Sequence, residues 1–351
     1  MILPPNLAKW LVILGLLHGV VAFAGFFAPY DPTSQDRKSP YLPPMRVHLM
    51  DGQGHLHARP FVHPLRLRQG TFDQYEEDAA RTEWLRFFVN GDPYRLFGFL
   101  NCRLHLFEIE NVRAYLLGSD GYGRDQLSRL LYGAELSLLA SLAGTSLTLL
   151  IALCIGGVAG YYGGWRDDLL MRITELVLAL PWLYLLFALR AFLPLAVSPL
   201  EAFFLIVGVT GLVGWGRPAR LIRGVVLSAK ERDFVRAARG FGATDSYLFR
   251  RHILPATSSV LLTQGAILVP QFVLAEMTLS FLGLGVPEPV PSLGNLLSHL
   301  QQYSVLASYW WMYLSAFMMV PFFLGYLGLA SSLQEQGEAY KIERRDLGSL
   351  P

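Results

Sequence analysis

Long apolar stretches recur along the chain, separated by short basic turns and one long polar region. They fall at residues 10–28, 136–162, 169–195, 200–215, 258–284 and 310–333. A helix crosses the roughly 30 Å hydrocarbon layer with about 20 apolar residues, so this pattern predicts about six transmembrane helices. Helix is the expected form because a single segment in lipid must satisfy its own backbone hydrogen bonds. The fourth stretch is short and is expected to continue as helix beyond Trp215. Gly156, Gly157, Pro181, Pro270 and Pro321 lie inside the stretches. In a packed membrane bundle such residues permit close approach or a kink.

The basic residues orient these spans. Residues 216–252 carry nine Arg or Lys against three acids, the turn near Arg166 and Arg172 is basic, and the tail adds Lys341, Arg344 and Arg345. Placing all three on the cytoplasmic side requires six spans with both termini inside. The loop at residues 194–199, which has no Arg or Lys, then lies outside. Residues 31–134 also fall outside, between the first two spans. Their thirteen basic and thirteen acidic residues do not oppose this, because long loops translocate largely regardless of charge.

The expected organisation is an all-α polytopic core with a mixed α/β insert. Residues 1–30 form the first membrane helix, 31–134 the extracytoplasmic insert, 135–333 a five-helix core and 334–351 a cytoplasmic tail. Within the insert, residues 45–50 and 55–62 flank Asp51-Gly52-Gln53-Gly54 as a hairpin. Residues 123–133 read as an amphipathic helix at the outer surface. The stretch at 10–28 follows Lys9 and is either a signal peptide or a retained first helix. Its length and the lack of a small-x-small cleavage site favour retention.

Composition narrows the function. Only 16% of residues are charged, against roughly a quarter in soluble domains, and mean hydropathy is positive. The net charge of +2 offers no reason to expect nucleic acid. Cys102 and Cys154 have no metal-type spacing. No G-x-x-x-x-G-K-[ST] pattern is present, so the chain is not expected to bind or hydrolyse ATP. There is also no nucleophile elbow and no HExxH, so no catalytic residue is expected.

The most informative segment runs Arg236-Ala237-Ala238-Arg239-Gly240-Phe241-Gly242, then nine residues, then His252-Ile253-Leu254-Pro255. Two adjacent alanines on a helix offer a shallow surface that another protein can approach. Gly242 suits a sharp turn because glycine accepts positive φ. A second helix, capped by Thr244 or Asp245, is expected to run through Arg251, with Pro255 at the entry to the next span. Such a helix–turn–helix is either a peg for a partner protein or a basic loop that only sets topology at the lipid headgroups.

The spacing resembles the "EAA" loop of binding-protein-dependent ABC importer permeases, whose coupling helix docks into a cleft on the ATPase subunit. Ala237, Ala238, Gly242, Leu254 and Pro255 match that loop. Arg236 stands where the family usually has glutamate, and His252 where it has isoleucine. Leu117-Gly118-Ser119-Asp120-Gly121-Tyr122-Gly123-Arg124-Asp125, then Ser128-Arg129 and Tyr132-Gly133-Ala134, is similar to a stretch of dipeptide, oligopeptide and nickel permeases. The resemblance gives Gly118, Asp120, Gly123, Arg124, Asp125, Ser128 and Arg129 a structural role near an extracellular gate. Leu279-Ser280-Phe281-Leu282-Gly283-Leu284-Gly285 and Pro291-Ser292-Leu293-Gly294-Asn295 resemble a third family stretch.

The resemblance implies a type I permease fold in the bacterial inner membrane and a C-type partner in a two-permease pair. It also implies two ATP-binding subunits that hold ATP and magnesium, an extracytoplasmic substrate-binding protein, and peptide as substrate. The insert exceeds the family's usual length. It is either a contact surface for the binding protein or sister permease, or a passive cap.

Four polar residues stand out within the apolar segments: Glu276, Ser280, Glu175 and Arg190. Intramembrane ionisable groups are costly and often functional. Glu276 is either part of a gate or a helix-packing group. Glu175 and Arg190 are fifteen residues apart, too far to pair on one helix. His48, His55, His57 and His63 cluster in the insert, either as surface histidines or as a metal site lacking its remaining ligands. Two other classes remain open: an ion-driven secondary transporter, which would show paired intramembrane charges, and an enzyme anchored by these helices with its chemistry in the insert.

Overall fold

A computed structural model describes residues 4–68, 70–71, 74–192 and 198–348; the side chains of residues 189, 190, 200 and 338–348 lie outside that description. In chain order it contains α1 (Pro5–Ala22), α2 (Ala24–Phe27), β1 (Val47–Met50), β2 (Leu56–Val62), β3 (Leu65–Leu67), β4 (Tyr75–Glu77), β5 (Glu83–Leu96) and β6 (Leu100–Ile109). Helices follow: α3 (Gln126–Tyr162), α4 (Gly164–Ala179), α5 (Trp182–Ala191), α6 (Pro199–Val213), α7 (Gly216–Lys230), α8 (Asp233–Gly240), α9 (Asp245–Leu248) and α10 (Leu254–Phe281). The chain closes with α11 (Leu293–Ser298), α12 (Tyr303–Ser308), α13 (Leu314–Phe317) and α14 (Met319–Gly348).

Among the described residues, four helices are long and apolar enough to cross a membrane, or six if each of two bent pairs counts as one span. The bent pairs correct the expected third span and extend the fourth. The third is no straight helix: α4 and α5 meet at 88°. Pro181 has no N–H to donate and forces the preceding residue out of helical geometry, and Leu180 is extended at φ −81, ψ 134. The fourth does continue past Trp215, as α7, with a 49° bend. Ser198 and Glu201 start α6 with a reciprocal capping box. Residues 193–197, which hold most of the expected external loop, lie outside the described residues.

Contacts divide the chain into two compact units. The first comprises residues 1–14, 138–276 and 321–351. Its core gathers Ala152 and Tyr161 of α3, Trp215, and Ala219, Ile222, Val226 and Ala229 of α7, with Ile253. Small residues make this packing possible. A Cβ on Gly156 would strike the Ala219 carbonyl, and one on Gly160 would meet Val226 and the Arg223 carbonyl, so α3 and α7 approach through a G-x-x-x-G seam. Gly325 and Gly328 of α14 likewise accept Leu14 and Trp10 of α1.

The second unit comprises residues 15–137 and 277–320. It contains a four-stranded antiparallel sheet in the order β1-β2-β5-β6 and a two-stranded sheet of β3 and β4. The expected first hairpin is present, with Val47 opposite Val62 and Met50 opposite Leu56. The core below the sheets holds Leu42, Met45, Val62, Leu85, Phe107, Ile109, Ala114 and Tyr115. Within the expected insert, residues up to 125 are sheets and loops and residues 126–134 are helical, so the amphipathic helix expected at 123–133 is not a separate element. Residues 120–125 form a tight loop, and Gln126 onward is already α3, which runs unbroken for 37 residues.

Candidate functional site: an exposed helix–turn–helix and a buried polar knot

Within the first unit, α8 carries Arg236, Ala237 and Ala238. Gly242 follows at φ +86, the left-handed turn expected of it. Thr244 then caps α9, its hydroxyl accepting from the Tyr247 N–H. The expected helix end at Arg251 is corrected: a π-helical turn, Phe249–Ile253, joins α9 to α10 without a break. Pro255 explains the π turn. Its ring excludes the usual carbonyl four residues back, and a widened turn makes room. Leu254 and Pro255 thus lie inside one continuous helix spanning Asp245–Phe281.

Two ties hold this segment to the helices beside it. The Tyr161 hydroxyl donates to Asp245 Oδ1 at 2.5 Å and accepts from Arg239 at 3.0 Å, so the end of α3 is bound to both α8 and α9. Arg223 of α7 forks onto both carboxylate oxygens of Asp167 of α4, the bidentate geometry of a strong ion pair. Arg236 contributes less. It donates to the Glu231 carbonyl at 3.0 Å and lies 3.5 Å from Asp233, well exposed. Beside Gly242, Phe241 is 92% exposed. Sequence reading missed it because an aromatic residue in a mixed segment gives no sign of which way it points. Arg239, Tyr161, Asp167 and Arg223 were missed because their pairing spans 56 to 84 residues.

The second unit gathers the residues expected near a gate into one buried knot. Asp120 is fully buried and accepts from the N–H groups of Tyr122 and Arg124 and from Arg124 Nε at 2.7 Å. Arg124 and Arg129 converge on Glu288, at 2.6 and 2.9 Å. Glu288 is the partner that sequence reading did not find, because it lies more than 150 residues away. Burial opposes its ionisation, yet His299, Arg129 and Arg124 outweigh that and hold its carboxyl down at about 2. Asp125 accepts from the N–H and hydroxyl of Ser128, both at 2.7 Å, while burial pushes its carboxyl up to about 6. Gly118 and Gly123 have positive φ, and a Cβ on Gly123 would strike the Asp36 carbonyl. All seven expected residues thus fall in one place.

The other candidates separate. Ser280 is buried, 3.5 Å from the Ser292 hydroxyl, and Gly285 and Gly294 pack directly on it. Glu276 is wholly buried inside α10, whereas Glu175 is exposed on α4. The Arg190 side chain, like those of Lys341, Arg344 and Arg345, lies outside the described residues. His55 and His57 both meet Asp51, at 3.3 and 3.1 Å, and no group suited to a metal ion occurs among the described residues. At the α4–α5 bend, the first unit encloses a cavity of about 610 Å³, lined by Pro181, Trp182, Arg217, Gln264, Gln271 and neighbouring apolar side chains.

Residues 152–334, just over half the chain, match the family described as binding-protein-dependent transport system inner membrane component. The chain belongs to that family. It is a multi-pass membrane protein of this inner membrane component type. The dipeptide transport system permease protein DppC of Bacillus subtilis (strain 168) is 34% identical over 219 residues, covering 62% of this chain and 66% of the relative. The oligopeptide transport system permease protein OppC of Mycobacterium bovis is 35% identical over 182 residues, covering 52% of this chain and 61% of the relative. The chain thus spans just under two thirds of the length of these relatives. A solved amino acid ABC transporter covers 59% of this chain and is itself covered to 94%, at 18% identity and a TM-score of 0.43. The family match includes α8, α9 and the third motif, while residues 31–151, with the sheets and most of the knot, lie outside it.

Proposed function

We propose that this family member is a permease subunit of an ATP-driven importer for peptides, a passive half-channel that couples to separate ATPases through α8 and α9. The carrying observation is the projecting segment itself. Ala237, the exposed Phe241 and the Gly242 turn form a surface that the chain's own core leaves uncovered, while Tyr161 ties both of its helices to a membrane span. ATP and magnesium bind the partner subunits, and this chain itself needs no cofactor. A sister permease completes a heterodimer, two ATPases close on the cytoplasmic face, and a binding protein delivers substrate to the outer mouth.

In this reading both termini are cytoplasmic and the sheets are extracytoplasmic. The cavity at the α4–α5 bend forms part of the pathway, with Arg217, Gln264 and Gln271 offering hydrogen bonds among apolar walls, which suits a peptide backbone. The peptide substrate rests on the names of the relatives.

The test is transport by the reconstituted assembly. Gly242→Trp introduces bulk and a Cβ at φ +86 where nothing else lies within 4 Å, so it changes the docking surface and the local turn. ATP-driven dipeptide uptake is expected to fall to background while membrane insertion is retained. Undiminished uptake would overturn the coupling role, and uptake that continues without any ATPase subunit would indicate an ion-driven carrier instead.

A further inference from the structure

The β5–β6 hairpin extends well beyond the stretch of β5 that pairs with β2 and ends in an exposed tip. From Tyr94 to Leu104 it reads Tyr-Arg-Leu-Phe-Gly-Phe-Leu-Asn-Cys-Arg-Leu, with two arginines and no acid. Phe97 and Phe99 are 51% and 74% exposed, and Leu100 and Leu104 are exposed beside them. Phe97 holds φ +53 in the turn, where Gly or Asn is the unstrained choice. A conformation that costs every residue with a Cβ has been given to a large aromatic at an exposed point.

Where this tip points follows from its contacts with the end of the first membrane helix. His105 Nδ1 meets the Ala28 carbonyl at 2.6 Å, and Asp92 receives the Asp31 N–H. Nearer the tip, the Tyr94 ring covers Gly25, which has no side chain to obstruct it. At the tip, the Phe97 ring stands edge-on to Phe23 at 5.7 Å. The hairpin therefore runs back along the helix, from Ala28 to Phe23, towards the span it follows. Five residues of helical rise correspond to roughly 7 Å of depth. α1 and α2 together reach only just across hydrocarbon, since 18 residues of α1 extend about 27 Å. The apolar run that begins after Lys9 ends near Ala28, so the outer hydrocarbon boundary falls in the stretch from Phe23 to Ala28 that the hairpin follows, and Phe97 lies beside its inner end.

We propose that the β5–β6 tip is a membrane-interface anchor: Leu96, Phe97, Phe99 and Leu100 enter the acyl–headgroup boundary, and Arg95 and Arg103 meet lipid phosphates. The chemistry is that of interfacial segments, where aromatic rings sit at headgroup level and arginines bind phosphate. The hairpin fixes the sheets against the bilayer at a set height. The leaflet is the outer one on the sidedness proposed above; the depth itself does not depend on it.

Site-directed spin labelling of the full chain in phosphatidylethanolamine–phosphatidylglycerol vesicles tests this, with Cys102→Ser and Cys154→Ala as background. A label at Phe99→Cys is expected to be several-fold more accessible to oxygen than to a water-soluble nickel complex. A label at Gln53→Cys, in the exposed β1–β2 turn, is expected to show the reverse. Nickel access at residue 99 equal to that at residue 53 overturns the proposal. Shielding of residue 99 from both relaxants also overturns it, because the tip would then rest on protein. An impermeant maleimide applied to intact cells at Gln53→Cys reads the side separately; lack of labelling would refute the sidedness and leave the depth result standing.

Discussion

The coupling segment and the polar knot are both rich in arginine and aspartate, yet they use them in opposite ways. In the knot, Asp120, Arg124 and Arg129 are almost wholly buried, and each charge meets an opposite one. In the coupling segment, Arg236, Arg239 and Asp245 are more than half exposed, and their ion pairs are long, at 3.5 and 3.8 Å. Buried, hydrogen-bonded pairs lose several kcal/mol when broken, whereas exposed pairs contribute about 0–1 kcal/mol. The knot is thus arranged to hold one conformation. The exposed ion pairs of α8 and α9 contribute little to stability, which fits the proposed role of this face as a surface for another protein.

Asp120→Ala strips two arginines of a buried partner. It is expected to cost about 3–5 kcal/mol, read as a large loss of thermal stability in detergent or as failure to accumulate. A wild-type melting temperature would break the comparison at its strongest point.

The pH response comes next. Asp125 is raised to about 6 from 3.8, so its folded form binds the proton more tightly than the unfolded chain does. Its contribution is complete below about pH 4 and is lost as pH rises through 6. Glu288 is lowered to about 2 from 4.5, so its contribution is complete above 4.5 and is lost as pH falls towards 2. The combined contribution of these two groups is therefore largest between pH 4 and 5 and declines as pH rises through 6. Asp125→Asn, which keeps an acceptor for Ser128 without the charge, should make the decline shallower than in the wild type in a melting series over pH 4–7 and leave the acid limb intact.

Gly123→Ala places a methyl against the Asp36 carbonyl at a φ of +70. A loss of about 1–3 kcal/mol is expected, visible as a shifted denaturation midpoint. The smallest effect on stability belongs to Phe241→Ala. Its ring is 92% exposed, so stability should change by less than about 0.5 kcal/mol. ATP-driven uptake should nonetheless fall at least tenfold. A destabilised variant with intact uptake would reverse the contrast between the two regions.

Much of this was legible in sequence. Apolar runs located the spans, although Pro181, after an extended Leu180, turns the third through 88°. The Asp51–Gly54 turn and its flanking strands were readable because hairpins are local. The helix at residues 123–133 was misplaced because the amphipathic pattern belongs to the first turns of a much longer helix. Gly242 was readable because a φ above zero leaves a residue-type signature. Phe241 was not, since exposure is a property of the packed chain.

By itself, the sequence determined the membrane class, the hairpin in the insert and the turn at Gly242. These follow from composition and local geometry, where each residue's preferences act within a few positions, whereas Gly118 to Arg129 were singled out by their resemblance to the permease family. Only the tertiary structure decided that Glu288 closes the knot, that Tyr161 ties down the coupling segment, and that the β5–β6 tip descends to Phe23. Those pairings join residues tens to more than a hundred positions apart. Their partners are chosen by burial and charge satisfaction across the fold, which no local pattern encodes.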